Sequence, residues 1–339
     1  MNALKCFLSR LMKREDLTRV EASQLLEALL DESATDSQIA GTLVALTAKG
    51  ETSEELTGLA AGLRSRAVRV NPKHRCFIDT AGTGSSRAKT FNISTAAAFV
   101  IAGAGLPVAK HGNRAASSKS GSADVLTALG VNVSALPELS ERALNEIGMC
   151  FMFAPLYHGA TARVAGIRRQ LGVHTTFNLL GPLSNPAGAP RQIIGVWRAD
   201  LVEKMALALA GLGTERAWVV HGSDGLDEIT LAGPTMIAEV RDGSVRTLDI
   251  NPEDFGFVSG ELHHLRGGDA EASATIIRNV LDGSRRDEAR SLVLMTAAAA
   301  LVVGDVFGNL VEAAEVCGQT IDSGAAAKKL DDLVRVTNS

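Results

Sequence analysis

Aromatic residues are scarce, 4% of 339 residues, with two tryptophans, one tyrosine and ten phenylalanines. So few rings argue against a base-stacking surface for nucleic acid. They suit close helix-on-sheet packing through small residues such as the 33 glycines. Cysteine is also sparse: Cys6, Cys76, Cys150 and Cys317 show no CxxC spacing. That spacing offers no structural zinc site, and with no signal peptide ahead of it the chain is expected in a reducing cytoplasm. Neither sign of charge dominates, 34 Lys and Arg against 38 Asp and Glu for a net −4, so nothing draws the chain to nucleic acid in general. The longest strongly apolar run, Leu292 to Gly304 between Arg290 and Asp305, falls short of the roughly 20 residues of a membrane helix. It is expected to be a buried, Ala-rich helix, with no membrane partner. No GxxxxGK[ST] motif occurs, and Gly82-x-Gly84 lacks the third glycine of a dinucleotide fingerprint, which removes the main support for P-loop and Rossmann readings.

What is present is a run from Lys110 to Ser122, KHGNRAASSKSGS. It gathers three cations, an imidazole, an amide and four hydroxyls directly after the apolar Gly105–Ala109. The segment that follows, Ser122 to Gly130, reads as a helix with Ser120 or Ser122 as N-cap and Gly130 as terminator. A strand, a polar loop and a helix start in that order suit an anion. A second loop repeats the arrangement upstream. The short strand Cys76–Asp79 leads into Thr80-Ala-Gly-Thr-Gly-Ser-Ser-Arg-Ala-Lys89, then Thr90-Phe-Asn-Ile-Ser-Thr95 and a helix from Ala96 to Gly103. Two phosphate-type loops point to a ligand with two phosphate groups. Their polar and backbone groups make Gly82, Ser85, Ser86, Thr90, Asn92, Ile93, Ser94, Thr95, Lys110, His111, Gly112, Asn113, Arg114, Ala115, Ala116, Ser117, Ser118 and Ser122 the candidate contacts.

The first 68 residues read as helices alone. Thr18 with Glu21, Thr35 with Gln38 and Thr52 with Glu55 have capping-box spacing, each before apolar residues at helical intervals. A small helical domain is expected over residues 1–70, completed by part of 155–190, where Pro155, Gly159, Pro182, Pro186 and Pro190 break up the chain. From Cys76 short apolar strands alternate with helices, the pattern of a mostly parallel sheet flanked by helices, so a large α/β domain is expected over 73–339. Candidate strands are Cys76–Asp79, Pro107–Lys110, Gln192–Val196, Ala217–His221 and Met236–Val240. Candidate helices include Leu136–Ile147, Leu201–Leu212 and Ser291–Val303.

Two further groups carry chemistry. The adjacent acids Asp227 and Glu228, after the apolar run Ala217–Val220 and the turn sequence Asp224-Gly225, form a pair suited to Mg²⁺, which takes carboxylates, water and substrate phosphate oxygens. A surface turn with solvated acids competes with that reading, and the two polyanion loops favour the metal. Arg168 offers a two-pronged donor for a small carboxylate, with Arg169 beside it and His158 ten residues earlier. His158 alone reads equally as a satisfied core histidine.

The blocks DTAGTG, TFNISTAAAF, VAKHGNRAASSKSGSADVLTALG, FNLLGPLSNPAG and HGSDGLDE resemble, in order and over nearly the whole chain, those of anthranilate phosphoribosyltransferases of tryptophan biosynthesis. The resemblance implies a homodimer with a small helical and a large α/β domain, the fold shared with pyrimidine nucleoside phosphorylases. It also implies that phosphoribosyl pyrophosphate and anthranilate give phosphoribosyl-anthranilate and pyrophosphate with the help of Mg²⁺, two ions per site. By matching positions, Gly82, Thr90, Asn92, Ser94 and Thr95 would contact the pyrophosphate-bearing substrate, with Ser94 on one metal and Asp227 and Glu228 on the second. Lys110, Ser117, Ser118 and Ser122 would cover its phosphates and ribose. Asn113 and Arg168 would bind anthranilate, with His111 and His158 along its path and Gly82 close by. Two positions depart from the family. Ser85-Ser86 stands where the loop usually reads Gly-Asp, and His174 where an arginine usually stands. A same-fold enzyme with another acceptor, a nucleoside phosphorylase, and a non-catalytic nucleic-acid-binding relative remain the alternatives.

Overall fold

The computed structural model describes residues 3–84, 90–115, 120–262, 265 and 267–339. The candidate contacts at Ser85, Ser86, Ala116, Ser117 and Ser118 lie outside them. Four helices open the chain, Ala3–Met12, Arg19–Leu30, Asp36–Lys49 and Ser53–Arg66. Three of them start at the expected capping boxes, where the Thr18, Thr35 and Thr52 hydroxyls accept from the N3 amide while the side chain of Glu21, Gln38 or Glu55 accepts from the cap's own N–H.

An α/β part follows around a seven-stranded sheet in the order β3-β2-β1-β4-β5-β6-β7. The strands are β1 (Ile78–Gly82), β2 (Val108–Gly112), β3 (Met149–Phe153), β4 (Arg191–Gly195), β5 (Arg216–Gly222), β6 (Thr235–Arg241) and β7 (Ser244–Ile250). Pairing is parallel from β3 through β5 and antiparallel for the last two. Alternation along the strands separates two apolar layers. Ile194, Val196, Ala217, Val219, Ala238 and Val240 pack with the N-terminal helices and with Val164, Ile167, Phe177 and Leu180. Ile193, Trp218, Val220 and Ile237 face the other layer, centred on the helices Ile93–Gly103 and Glu288–Val303. The Ala-rich run is therefore a buried helix, and among the described residues no helix is long and apolar enough to cross a membrane.

Several expectations shift. The strands begin or end one to three residues from their expected limits, and β3 and β7 were not expected. β7 is an edge strand, exposed along most of its length, so it carries little apolar signal. The helix after the second loop is Ser122–Ala128, and its N-cap is Gly121, not Ser120 or Ser122, because the Asp124 carboxylate accepts from the Gly121 N–H at 3.0 Å. The helix expected from Ala96 starts at Ile93. Its N-cap Asn92 makes no side-chain cap bond, being engaged elsewhere.

Candidate active site

β1 is paired with β2 on one side and β4 on the other. The chain runs outward to β3 and returns across β1, so strand order reverses between β1 and β4. Ligands of open α/β sheets collect at such a point, beyond the carboxyl ends of the strands. Here those ends are Gly82 and Gly195, which stand in register. Thr83 donates to the Gly195 carbonyl from its N–H at 2.9 Å and from its hydroxyl at 3.1 Å. The backbone of Asp227 crosses directly over Gly195. A Cβ there would lie 1.7 Å from the Asp227 carbonyl oxygen, so only glycine fits. A Cβ on Gly82 would sit 3.7 Å from Asp227 Oδ2, which places the acid pair beside the first loop.

The turn expected at Asp224-Gly225 presents that pair. Gly225 has φ +84° and its N–H donates to the Gly222 carbonyl at 2.9 Å, while Asp224 accepts from Leu226 N at 3.2 Å and Thr230 Oγ1 at 3.0 Å. Asp224 thus braces the turn. Glu228 Oε1 accepts from the Ser94 N–H at 3.2 Å, in the first turn of Ile93–Gly103. Burial pushes Asp227 up to about 6. Burial, reinforced by the Asp227 charge, pushes Glu228 up to about 7.

Lys110 supplies the facing cation. Its side chain is buried in β2, and Nζ donates to the Thr80 carbonyl, and at 3.4 Å to both Thr80 Oγ1 and Ser94 Oγ. Burial lowers its pKa, and the charges of Asp79 and Glu228 oppose that shift. The expected residues Ser94, Lys110, Asp227 and Glu228 therefore meet at one place. Among the described residues no group of three or more His, Cys, Asp or Glu could hold a metal alone. Two adjacent carboxylates raised by burial are nevertheless the hard oxygen donors that Mg²⁺ takes when substrate oxygens and water complete its shell.

Asn92 joins the two loops. Its Oδ1 accepts from Ser120 at 3.3 Å and from the buried Ser273 at 3.0 Å. Ile93 and Thr95 are buried next to it, and the Thr95 hydroxyl has no hydrogen-bond partner among the described residues. Thr90 is half-buried, its hydroxyl on the Phe91 carbonyl at 3.2 Å.

The GPLSNP block proves to be a keystone. A helix end leaves carbonyls without intrahelical partners, and here distant groups take them. His111 Nδ1 donates to Gly181 O at 3.1 Å, Gln192 Nε2 to Pro182 O at 3.0 Å, Arg64 Nε to Leu183 O at 2.7 Å, and His158 Nε2 to Ser184 O at 3.1 Å. These acceptors fix both imidazole tautomers. The two rings lie 5.2 Å apart. Burial, with His158 and Lys110 adding to it, holds His111 down at about 3, and burial lowers His158 too. Both are neutral, and His111 Nε2 is a buried acceptor with no partner among the described residues. Asn185 then ties the block to the sheet, donating to Asp79 Oδ2 at 2.8 Å and to Ala109 O at 2.9 Å, while Asp79 Oδ1 takes the His111 N–H at 3.1 Å.

Arg168 is half-buried, donates to Thr175 Oγ1 and Asn178 Oδ1 at 3.0 Å each, and lies 5.6 Å from the Phe177 ring centroid. Asn113 and Arg114 are exposed in the second loop, and Ser122 Oγ donates to Asn113 O at 3.4 Å. Arg168 and Asn113 are thus anchored separately. His174, in place of the family's arginine, packs its ring 5.1 Å from that of Trp197. Asp79, Asn185, Ser273 and Asp124 were absent from the expected set. A carboxylate directly after the apolar run Cys76-Phe77-Ile78 is the one local signal for any of them.

The model of the glycosyl transferase family helical bundle domain matches residues 5–67, and that of the family's a/b domain matches 74–327. The chain is 48% identical over 331 residues to an anthranilate phosphoribosyltransferase of Moorella thermoacetica, covering 98% of this chain and 97% of that one. The chain belongs to the anthranilate phosphoribosyltransferase family. Among solved anthranilate phosphoribosyltransferases, that of Thermus thermophilus matches with a TM-score of 0.92 and 37% identity over 100% of both chains. The Saccharomyces cerevisiae enzyme, in complex with PRPP and Mg, matches with a TM-score of 0.90 and 25% identity over 99% of this chain and 98% of that one.

Proposed function

We propose that the carboxyl ends of β1, β2, β4 and β5 form the active site in which this chain transfers the phosphoribosyl group of phosphoribosyl pyrophosphate to the nitrogen of anthranilate, releasing pyrophosphate. The observation that carries the reading is the convergence of Lys110, Ser94, Asp227 and Glu228 where strand order reverses. A polyphosphate needs cations of protein and metal there; Lys110 supports the first and the Asp227-Glu228 pair the second.

Ser94, Asp227 and Glu228 would hold Mg²⁺, in two ions per site. When bound, the metal neutralises charge growing on the departing pyrophosphate. Lys110, fixed by Thr80, contributes a positive charge that needs no rearrangement during the reaction. Gly82, Thr90, Asn92, Ile93 and Thr95 line the first loop. Gly112, Arg114, Ala115 and Ser122, together with Ser85, Ser86, Ala116, Ser117 and Ser118, complete the phosphate and ribose contacts. Arg168 takes the anthranilate carboxylate and Asn113 assists it, while the neutral His111 and His158 line the acceptor's path without competing for its carboxylate. An aniline nitrogen is unprotonated at neutral pH, so positioning replaces strong base catalysis.

The domain division follows the same reading: residues 1–70 with part of 155–190 form the smaller unit and 73–339 the larger. The apolar layer shared by the N-terminal helices with Val164, Ile167, Phe177 and Leu180 supports it. A cytoplasmic homodimer without nucleic acid is the working form, and Met12, Val20 and Val44, exposed on the N-terminal helices, supply apolar surface for a partner subunit. Light scattering of purified protein checks the mass. The activity is tested by mixing protein, anthranilate, phosphoribosyl pyrophosphate and Mg²⁺. Anthranilate fluorescence should fall, and a steady signal at micromolar protein refutes the assignment, as robust phosphorolysis of thymidine would.

A further inference from the structure

The described flanks of the second loop meet on one carboxylate. Asp124 Oδ2 accepts the Ala115 N–H at 3.0 Å and the Gly121 N–H at 3.0 Å, and Oδ1 accepts Arg114 Nη1 at 2.8 Å. Donors from both flanks of the loop, six residues apart in sequence, thus end on a single side chain. The flanks also touch. A Cβ on Gly121 would lie 2.4 Å from Ala115 N and 2.6 Å from Asn113 O, and the Ala123 N–H donates to Asn113 O at 3.2 Å. Arg114, so held, lies 5.6 Å from the Phe153 ring centroid at the end of β3.

A bare carboxylate next to a polyanion would repel it. This one is engaged by two amides and a guanidinium, and although burial pushes its pKa up, those donors outweigh the push and hold it below the usual carboxylate range. It is therefore a charged acceptor consumed by structure, not a base. We propose that Asp124 is a positioning residue: it holds Asn113, Arg114 and Ala115 against Gly121 and so sets these residues to receive phosphoribosyl pyrophosphate. The proposal rests on the reading that this loop contacts that substrate.

Asp124→Ala removes all three bonds. Asp124→Asn keeps an oxygen for both amides and loses only the Arg114 contact. Asp254→Ala is the control, since Asp254 accepts the Asn251 N–H at 2.7 Å in an analogous cap on another element, the turn Pro252–Phe255. In steady-state assays with Mg²⁺, Asp124→Ala should raise the KM for phosphoribosyl pyrophosphate at least tenfold with kcat within about threefold. Asp124→Asn should recover most of that loss and Asp254→Ala should match wild type. A KM within twofold of wild type for Asp124→Ala, or an Asn variant as impaired as the Ala variant, overturns the proposal. Should Asp124→Ala not fold, Asp124→Ser, whose hydroxyl reaches less far than the carboxylate, decides: a KM raised at least threefold supports the clamp and an unchanged KM refutes it. Hydrogen exchange separates this from the functional reading. If wild type turns over no phosphoribosyl pyrophosphate, that reading fails, and the clamp stands only if the Ala115 and Gly121 amides exchange at least tenfold faster in a variant while Ile193 and Ile194 do not.

Discussion

Asn185→Ala is the substitution whose cost follows most directly from the structure. Asn185 is 2% exposed; it donates to Asp79 and Ala109 and accepts the Ala187 N–H at 2.9 Å. Truncation leaves a buried carboxylate oxygen, a carbonyl and an amide without partners. At about 1–3 kcal/mol for each buried group left unsatisfied, and allowing for relaxation, the loss should be about 3–6 kcal/mol. Over 339 residues the unfolding entropy is on the order of 0.7 kcal/mol/K, so Tm should drop by roughly 4–8 °C. The loss should depend on pH. Burial raises Asp79 from 3.8 to about 6, against the pull of Lys110 and the Asn185 bond. Between those values the folded chain binds more protons than the unfolded one, so Asp79 costs stability increasingly as pH rises through that window. Without Asn185 the folded pKa climbs further, and the window extends upward. The variant's deficit, measured by urea denaturation, should therefore be larger at pH 8 than at pH 5. A deficit below about 1 kcal/mol, or one equal at both pH values, refutes the reasoning.

Arg168→Ala should raise the KM for anthranilate far more than that for phosphoribosyl pyrophosphate, and equal effects in steady-state kinetics would remove its assigned role. Gly195→Ala forces the Asp227 backbone away from β4, so kcat/KM should fall by at least tenfold, and a fully active variant would contradict the close approach. Thr35→Ala, remote from the acid pair, removes a cap bond and should cost about 1 kcal/mol with kcat/KM unchanged, by denaturation and assay. Chelation of divalent ions should abolish turnover, and added Mg²⁺ should restore it.

The legible part of the molecule was the part whose interactions are local. Each capping box links residues three apart, so Thr18, Thr35 and Thr52 announce their helices. The same holds for the Asp224-Gly225 turn and the polar loops after β1 and β2. The ties of the GPLSNP block are not local: Asn185 meets Asp79 across 106 residues and Ala109 across 76. Spacing carries no trace of such pairs. Asp124 was hidden differently: a carboxylate three residues past Gly121 is ordinary for a helix start, and only the fold brings the Ala115 amide onto it.

The central claim is that Asp227 and Glu228, at the reversal between β1 and β4, are the metal-binding end of a phosphoribosyl transfer site. Initial rates of anthranilate consumption against Mg²⁺ concentration, for wild type and Glu228→Gln, test it most directly. The variant should need at least tenfold more Mg²⁺ for half-maximal rate, or lose turnover entirely while remaining folded. An unchanged Mg²⁺ requirement and rate would contradict it.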